Sequence, residues 1–236
     1  MAIEHPPVVH NPLFFLDYDG TLAPITDHPM TAYPYPGVRD LLTGLHERYP
    51  LWIVTGRHLR DLAVLLGLPL PAIGLHGVQE ARIGGEIVSR MPGEARAAVE
   101  VLKQTVPEIE GTWVEDKEHT FTVHYRDAVE KAKVRELLGA WLSELPETLH
   151  AIWGKDIVEP RPRGIDKGIA VRRIVLKYGR HTPIYIGDDT TDEDAFRELD
   201  GDAVTIKVGA GETAARYRLP GPEAVIAYLQ EYITLS

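Results

Sequence analysis

Two short strings concentrate the residue types that could do chemistry. The first is Asp17-Tyr18-Asp19-Gly20-Thr21-Leu22, and the second is Gly187-Asp188-Asp189-Thr190-Thr191-Asp192-Glu193. An ionised aspartate can attack a phosphoryl group and form an aspartyl phosphate, which divides one hard displacement into two easier ones. A second carboxylate two residues on can protonate the leaving oxygen and then take a proton from the attacking water. Asp17 and Asp19 have that spacing. Gly20 lets the backbone turn and bring N–H groups toward a phosphate. An Asp-x-Asp alone is common in turns, but here it follows four apolar residues. The second string places acid groups close together, which repel without a cation. Mg²⁺ is held by oxygen ligands, often one or two carboxylates plus phosphate and water. Asp17, Asp188 and the main-chain oxygen of Asp19 are therefore the expected metal ligands, with Asp189 and Asp192 supporting them from behind. Thr190 with Glu193 also fits a capping box, so some of these acids have a purely helical use.

Two further groups are candidates for holding the phosphate. Thr55 precedes Gly56-Arg57 and offers a hydroxyl donor, or else caps the following helix. Lys167 stands at a helix start, where the macrodipole disfavours a cation. A lysine placed there suits neutralisation of an anion, with Asp166 before it as the alternative helix cap. Gly20 and Gly56 are expected to approach the substrate through their backbones.

Elements must bring these segments together. Leu13-Phe14-Phe15-Leu16 reads as a buried parallel strand ending at Asp17. Leu51-Trp52-Ile53-Val54 is a second, ending at Thr55, and Ala72–Leu75 is a third. Pro183–Ile186 runs into Gly187-Asp188, and Ala203–Val208 follows. Helices between them imply an α/β fold with a Rossmann-like parallel sheet. In such sheets ligands bind beyond the C-terminal strand ends, where Asp17, Thr55 and Asp188 all fall. Between the two halves the pattern changes to helix, two strands, helix, two strands, and this reads as an inserted α+β cap. The expected division is residues 1–91 with 163–236 as the catalytic core and 92–162 as the cap. Pro160 and Pro162 mark its end.

These residues together resemble the motifs of the haloacid dehalogenase superfamily: Asp17-x-Asp19-Gly20-Thr21-Leu22, the strand-end Thr55, Lys167-Gly168 and Gly187-Asp188-Asp189-x-x-Asp192. The acid at position 19 resembles the phosphatase branch. A narrower similarity, to trehalose-6-phosphate phosphatases, rests on Gly74–Glu80, Val114–Lys117, His124-Tyr125-Arg126, Val158–Gly164 and Gly187–Glu193. In that family a glutamate usually follows His-Gly after one residue; here Gln79 adds a position, which leaves the role of Glu80 open. The resemblance implies Mg²⁺ as cofactor and Glu115, Lys117 and Glu159 as cap residues that bind sugar hydroxyls. It adds Arg57, His76 and Arg126 near the substrate, and it implies a place beside a trehalose-phosphate synthase in the same pathway. Read from residues alone, Glu115 and Lys117 share one strand face and serve equally as a solvated pair. Arg161, Arg163, Lys167, Arg172 and Arg173 form either an electropositive rim or two solvated faces. Trp113, Trp141 and Trp153 are expected in the cap core, with sugar stacking as the alternative.

The remaining composition narrows the field. In 236 residues, 44% are hydrophobic and 25% charged, values of a globular protein. There is no cysteine, so disulfides, thiolate zinc sites and a Cys nucleophile are excluded. The net charge of -10 argues against a nucleic-acid surface. No stretch approaches the roughly 20 apolar residues needed to span a bilayer, and Met1–His10 does not read as a secretory signal. A cytoplasmic enzyme acting on a small sugar phosphate is expected: trehalose 6-phosphate first, then another sugar or glycerate phosphate, then a non-catalytic binding module.

Overall fold

The computed structural model describes residues 5–199, 201 and 203–234. The chain divides into two compact units. One runs up to Ser89 and resumes at Asp166; the other is Arg90–Ile165. The seams therefore fall two or three residues outside the expected 92–162.

The first unit begins with β1 (Pro12–Asp17), whose six residues are all buried. Such a run suits a strand covered on both faces. It is followed by α1 (Val38–His46), β2 (Leu51–Val54), α2 (Leu59–Leu66), β3 (Pro71–Gly74), β4 (Gln79–Arg82) and β5 (Val88–Ser89). The helices form because apolar residues recur on one face: Val38, Leu41, Leu42 and Leu45 in α1, and Leu59, Leu62, Leu65 and Leu66 in α2. Gly67 ends α2 in the left-handed region, which a side chain would resist.

The second unit contains α3 (Gly93–Gln104), β6 (Trp113–Asp116), β7 (Phe121–His124), α4 (Lys131–Trp141), β8 (Leu149–Gly154) and β9 (Ile157–Pro162). Turns flank α4 on both sides. Ala128 gives its N–H to the Tyr125 carbonyl in a turn, and the far end tightens into a 3-10 turn at Leu142–Glu144. The unit runs on to Ile165, and Pro160 and Pro162, read from the sequence as marking the end of the cap, lie inside β9. There β9 pairs with β8 alone, because β7 pairs only with Ile157 and Val158, and an unpaired edge tolerates proline.

The first unit then resumes with α5 (Lys167–Tyr178), β10 (Thr182–Gly187), α6 (Asp192–Glu198), β11 (Val204–Val208), β12 (Tyr217–Leu219) and α7 (Pro222–Thr234). Its sheet has the order β12-β11-β10-β1-β2-β3-β4-β5, parallel from β12 to β3 and antiparallel beyond. The β4–β5 hairpin extends the edge of this sheet. β12 was not expected.

Alternate residues of β1 serve opposite cores. Phe14 and Leu16 join α1, α2 and α7 residues such as Leu42, Leu62 and Leu229. Leu13 and Phe15 pack with Val171, Ile174 and Phe196 of α5 and α6. The sheet is thus the middle of three layers, and the C-terminal ends of β1, β2 and β10 lie side by side.

Candidate active site

Those three strand ends carry Asp17, Thr55 and Asp188, as the sequence implies. Asp17 closes β1 and is 3% exposed. Lys167, the first residue of α5 and 2% exposed, donates to Asp17 Oδ1 and Asp192 Oδ1, both at 2.7 Å. Asp192 is fully buried at the start of α6. Its Oδ1 also accepts from the Tyr185 hydroxyl at 2.7 Å, and its Oδ2 from the Asp189 N–H at 2.9 Å. Tyr185 is a residue sequence reasoning missed, since a tyrosine in a buried strand looks like core.

α6 can approach α5 and β10 this closely because of two glycines. A methyl at Gly168 would lie 2.7 Å from the Asp194 carbonyl carbon, and one at Gly187 would overlap the Asp192 side chain. Asp166 caps α5 by accepting from the Ile169 N–H at 2.8 Å. The expected capping box at Thr190 and Glu193 does not form. Thr190 bonds Asp189, and Glu193 instead accepts from the Ala214 N–H at 2.8 Å, tying α6 to the segment before β12. Asp189 itself is exposed.

Asp188 packs against the turn after β1. Gly20 has φ +74, and a methyl there would overlap the Asp188 carboxylate. One ligand oxygen from each of Asp17, Asp188 and Asp192 lies within 4.8 Å of the others. Oδ1 of Asp188 is buried and accepts no hydrogen bond among the described residues. Lys207 reaches this segment but donates to the Asp188 main-chain carbonyl. Burial first, then Asp192 and Asp189, push the Asp188 carboxyl up to about 6. Burial, then Asp192, raise Asp17 well above its ordinary value against the pull of Lys167. Burial disfavours a charged Lys167, but Asp17 and Asp192 outweigh it and raise its pKa. Three carboxylates facing one ammonium suit a divalent cation with oxygen ligands. Asp192 already accepts three donors, so Asp17 and Asp188 are the better placed to hold an ion.

Thr55 is fully buried and does not cap α2, which starts at Leu59. Its Oγ1 accepts from the Arg57 N–H at 3.1 Å, and its carbonyl accepts from the His76 N–H at 3.1 Å. His76 has φ +54, and its ring covers Gly56 closely enough that a methyl there would stand 2.5 Å away. Arg57 does not face outward: its guanidinium holds Asp19. Gln79, the extra position in the motif, is buried and accepts from the Leu59 N–H at 3.0 Å, so it satisfies the start of α2. Glu80 pairs with Arg173 at 2.7 Å and so joins β4 to α5.

In the inserted unit, register puts Trp113, Glu115, Thr122, His124 and Glu159 on one face of the sheet, opposite the buried Phe121, Val123 and Val158. Glu159 is 4% exposed and accepts from Lys117 at 3.3 Å and from Arg161 Nε at 2.9 Å. Burial raises its pKa, but Lys117 and Arg161 prevail and lower it. Glu115 pairs with His124 at 2.9 Å. Arg126 is exposed in the turn after β7, at the far end of that strand from the Lys117–Thr120 turn. Two expectations change here. Trp113 is not core but 46% exposed and stacked on His124, with ring centroids 3.8 Å apart. Most of the electropositive rim is neutralised, since Arg161, Arg172, Arg173 and Lys167 each pair with an acid.

Comparison with known proteins gives a consistent result. The trehalose-phosphatase family profile matches residues 15–223. A trehalose-6-phosphate phosphatase-related protein of Thermoplasma acidophilum is 35% identical over 214 residues, covering 88% of this chain and 90% of that protein. The trehalose-phosphate phosphatase of Mycobacterium tuberculosis is 34% identical, and the match covers 94% of this chain but only 61% of that longer protein. A crystal structure of a trehalose-6-phosphate phosphatase related protein superposes with a TM-score of 0.78 at 32% identity, covering 94% of this chain and 97% of the other. The chain belongs to the trehalose-phosphatase family, within the haloacid dehalogenase superfamily.

Proposed function

We propose that this protein is a Mg²⁺-dependent phosphatase that hydrolyses trehalose 6-phosphate to trehalose and inorganic phosphate through an aspartyl phosphate at Asp17. The observation that carries this reading is Lys167 bridging Asp17 and Asp192 at 2.7 Å each, beside a half-buried Asp188 whose buried Oδ1 accepts no hydrogen bond among the described residues. Asp17, Asp188 and the main-chain oxygen of Asp19 would hold the ion, supported by Asp189 and Asp192. Bound Mg²⁺ supplies charge neutralisation of the phosphate and of the clustered carboxylates.

Asp17 attacks with Oδ2, the oxygen that Lys167 does not take. A bond forms from that oxygen to phosphorus as the bond to the sugar oxygen breaks, and Asp19 gives its proton to the departing oxygen. Lys167 orients Asp17 and, with the Thr55 hydroxyl, receives charge from the phosphoryl oxygens. Thr55 is suited to donate because its lone pair already accepts from the Arg57 N–H. We assign backbone contacts with the phosphate to Gly20 and Gly56. In the second step Asp19 takes a proton from water as the water oxygen bonds to phosphorus and the bond from phosphorus to Asp17 breaks, which frees phosphate and restores the Asp17 carboxylate. We assign recognition of the sugar to Glu115, Lys117 and Glu159 of the inserted unit. Their acceptors and donors on one sheet face match hydroxyls that do both. Among the described residues no helix is long and apolar enough to cross a membrane. We place the enzyme in the cytoplasm, consuming the ester that a trehalose-phosphate synthase supplies.

The test is phosphate release from trehalose 6-phosphate, glucose 6-phosphate, sucrose 6-phosphate and mannosyl-3-phosphoglycerate, with Mg²⁺ and with chelator. Mg²⁺-dependent release from the trehalose ester, absent in Asp17→Asn, is expected. Preference for another ester would remove the assignment of the inserted unit and keep the chemistry. Turnover by a folded Asp17→Asn would remove the nucleophile.

A further inference from the structure

The family resemblance puts Arg57 near the substrate, yet its side chain is committed elsewhere. Nε donates to Asp19 Oδ2 at 2.7 Å and Nη2 to Asp19 Oδ1 at 2.6 Å, a two-bond fork. Nη1 donates to the Pro29 carbonyl at 2.6 Å. The guanidinium carbon lies 5.7 Å from the centre of the Tyr18 ring, and Tyr18 is itself buried and bonded to the Ala32 carbonyl. The Arg57 backbone is fixed too: its N–H goes to Thr55 Oγ1, and its carbonyl accepts from the Leu75 N–H at 3.0 Å. The Arg57 side chain is 12% exposed and that of Asp19 is 34%. The arginine is thus the fixed partner and the carboxylate the more open one.

A half-exposed aspartate on a turn samples several rotamers. A planar fork selects one of them, since both oxygens must meet parallel N–H groups. We propose that Arg57 is a positioning residue for Asp19, holding the acid/base of the reaction in place rather than binding the sugar phosphate. This rests on the assignment of Asp19 as that acid/base. In the protonated acid one Asp19 oxygen carries the proton and turns out of the fork toward the ester oxygen, which takes that proton as it keeps the electron pair of the breaking P–O bond; Arg57 retains the other oxygen. Placement of a catalytic group within reach of its proton is a large part of what general acid catalysis requires.

The experiment compares kcat/KM for aryl phosphates of graded leaving-group acidity, from 4-nitrophenyl to 4-methoxyphenyl, in wild type, Arg57→Gln, Arg57→Lys and Asp19→Asn. These esters carry no sugar, and the 4-nitrophenolate leaves without a proton. Arg57→Gln should lose roughly 10²-fold on the 4-methoxyphenyl ester and less than about threefold on the 4-nitrophenyl ester. Arg57→Lys keeps the charge without the fork and should recover only part of the loss. Equal loss on all aryl esters would overturn the proposal, as would no loss on any. So would a higher KM confined to trehalose 6-phosphate, which marks a substrate contact. If Arg57→Gln does not fold, Arg57→Lys is read in the same way. If Asp19→Asn shows the steeper dependence and both Arg57 variants do not, positioning fails alone. If Asp19→Asn also lacks it, the acid/base assignment fails as well.

Discussion

Replacing Asp188 with Asn should destroy activity yet stabilise the protein when divalent cations are absent. Asp188 sits against Asp192 and Asp189, and its Oδ1 has no donor. Its carboxyl is lifted from 3.8 to about 6, which corresponds to at most about 3 kcal/mol against the charged form. Asp188 is only half-buried, and solvent screening reduces this to about 1–2 kcal/mol. The folded state binds the proton more tightly than the unfolded state does. Stability is therefore full below the unfolded value and is lost as pH rises through about 6. An amide at 188 removes that loss and gives a neighbouring carboxylate a donor. In chelator at pH 7.5 the variant should melt roughly 2–8 °C above wild type, taking 2–4 °C per kcal/mol for a chain of this size. At pH 4 the difference should vanish. Mg²⁺ should raise the wild-type midpoint and leave the variant unchanged, because only the wild type keeps the full set of proposed ligands. A variant less stable than wild type in chelator at pH 7.5 would refute the charge account of this site.

Three other outcomes are expected. Tyr185→Phe removes a buried hydrogen bond to Asp192 and should cost about 2 kcal/mol in urea unfolding; an unchanged midpoint would show that Asp192 does not need the hydroxyl. Glu159→Gln leaves Lys117 and Arg161 without their buried counter-charge and should cost roughly 3 kcal/mol at pH 7. Because the folded pKa of Glu159 is lowered, its contribution is present above the ordinary value of 4.5 and lost as pH falls, so the variant should show a flatter acid limb. Gly168→Ala improves helix propensity by about 1 kcal/mol but drives a methyl into the Asp194 carbonyl. It should lower both the melting temperature and kcat by moving Lys167, and a stabilised, active variant would show that α5 yields.

Local pattern exposed some of this molecule and concealed the rest. The buried run ending at Asp17 was legible because a strand covered on both faces has no polar alternation to disguise it. Lys167 was legible because a cation at a helix start contradicts the macrodipole. Tyr185 was not, because its hydroxyl finds Asp192 only through the approach of α6 to β10. Gln79 looked like an insertion in a motif, since its partner, the start of α2, lies 20 residues earlier. Arg57 shows the same limit: a cation near an anion site is readable, but the anion it faces is set by the turn after β1. β12 has three residues, too few to carry a pattern, and exists through its pairing with β11. Trp113 looked like core because it is large and apolar, but β6 is an edge strand whose outer face is open.

The pairing of β1 with β10 also sets a schedule for biosynthesis. Pro12 lies beside Thr182 in the finished sheet, and Asp17 meets its ammonium 150 residues later in the chain. At 5–20 residues per second the ribosome takes roughly 8–30 s to cover that interval. The inserted unit is contiguous and is complete before β10 emerges. Until then a very apolar strand presents an open edge, and an acid destined for burial stays hydrated at its tip. Newly made chains are therefore most prone to aggregate during this wait, and binding by a chaperone should peak between release of β5 and release of β10.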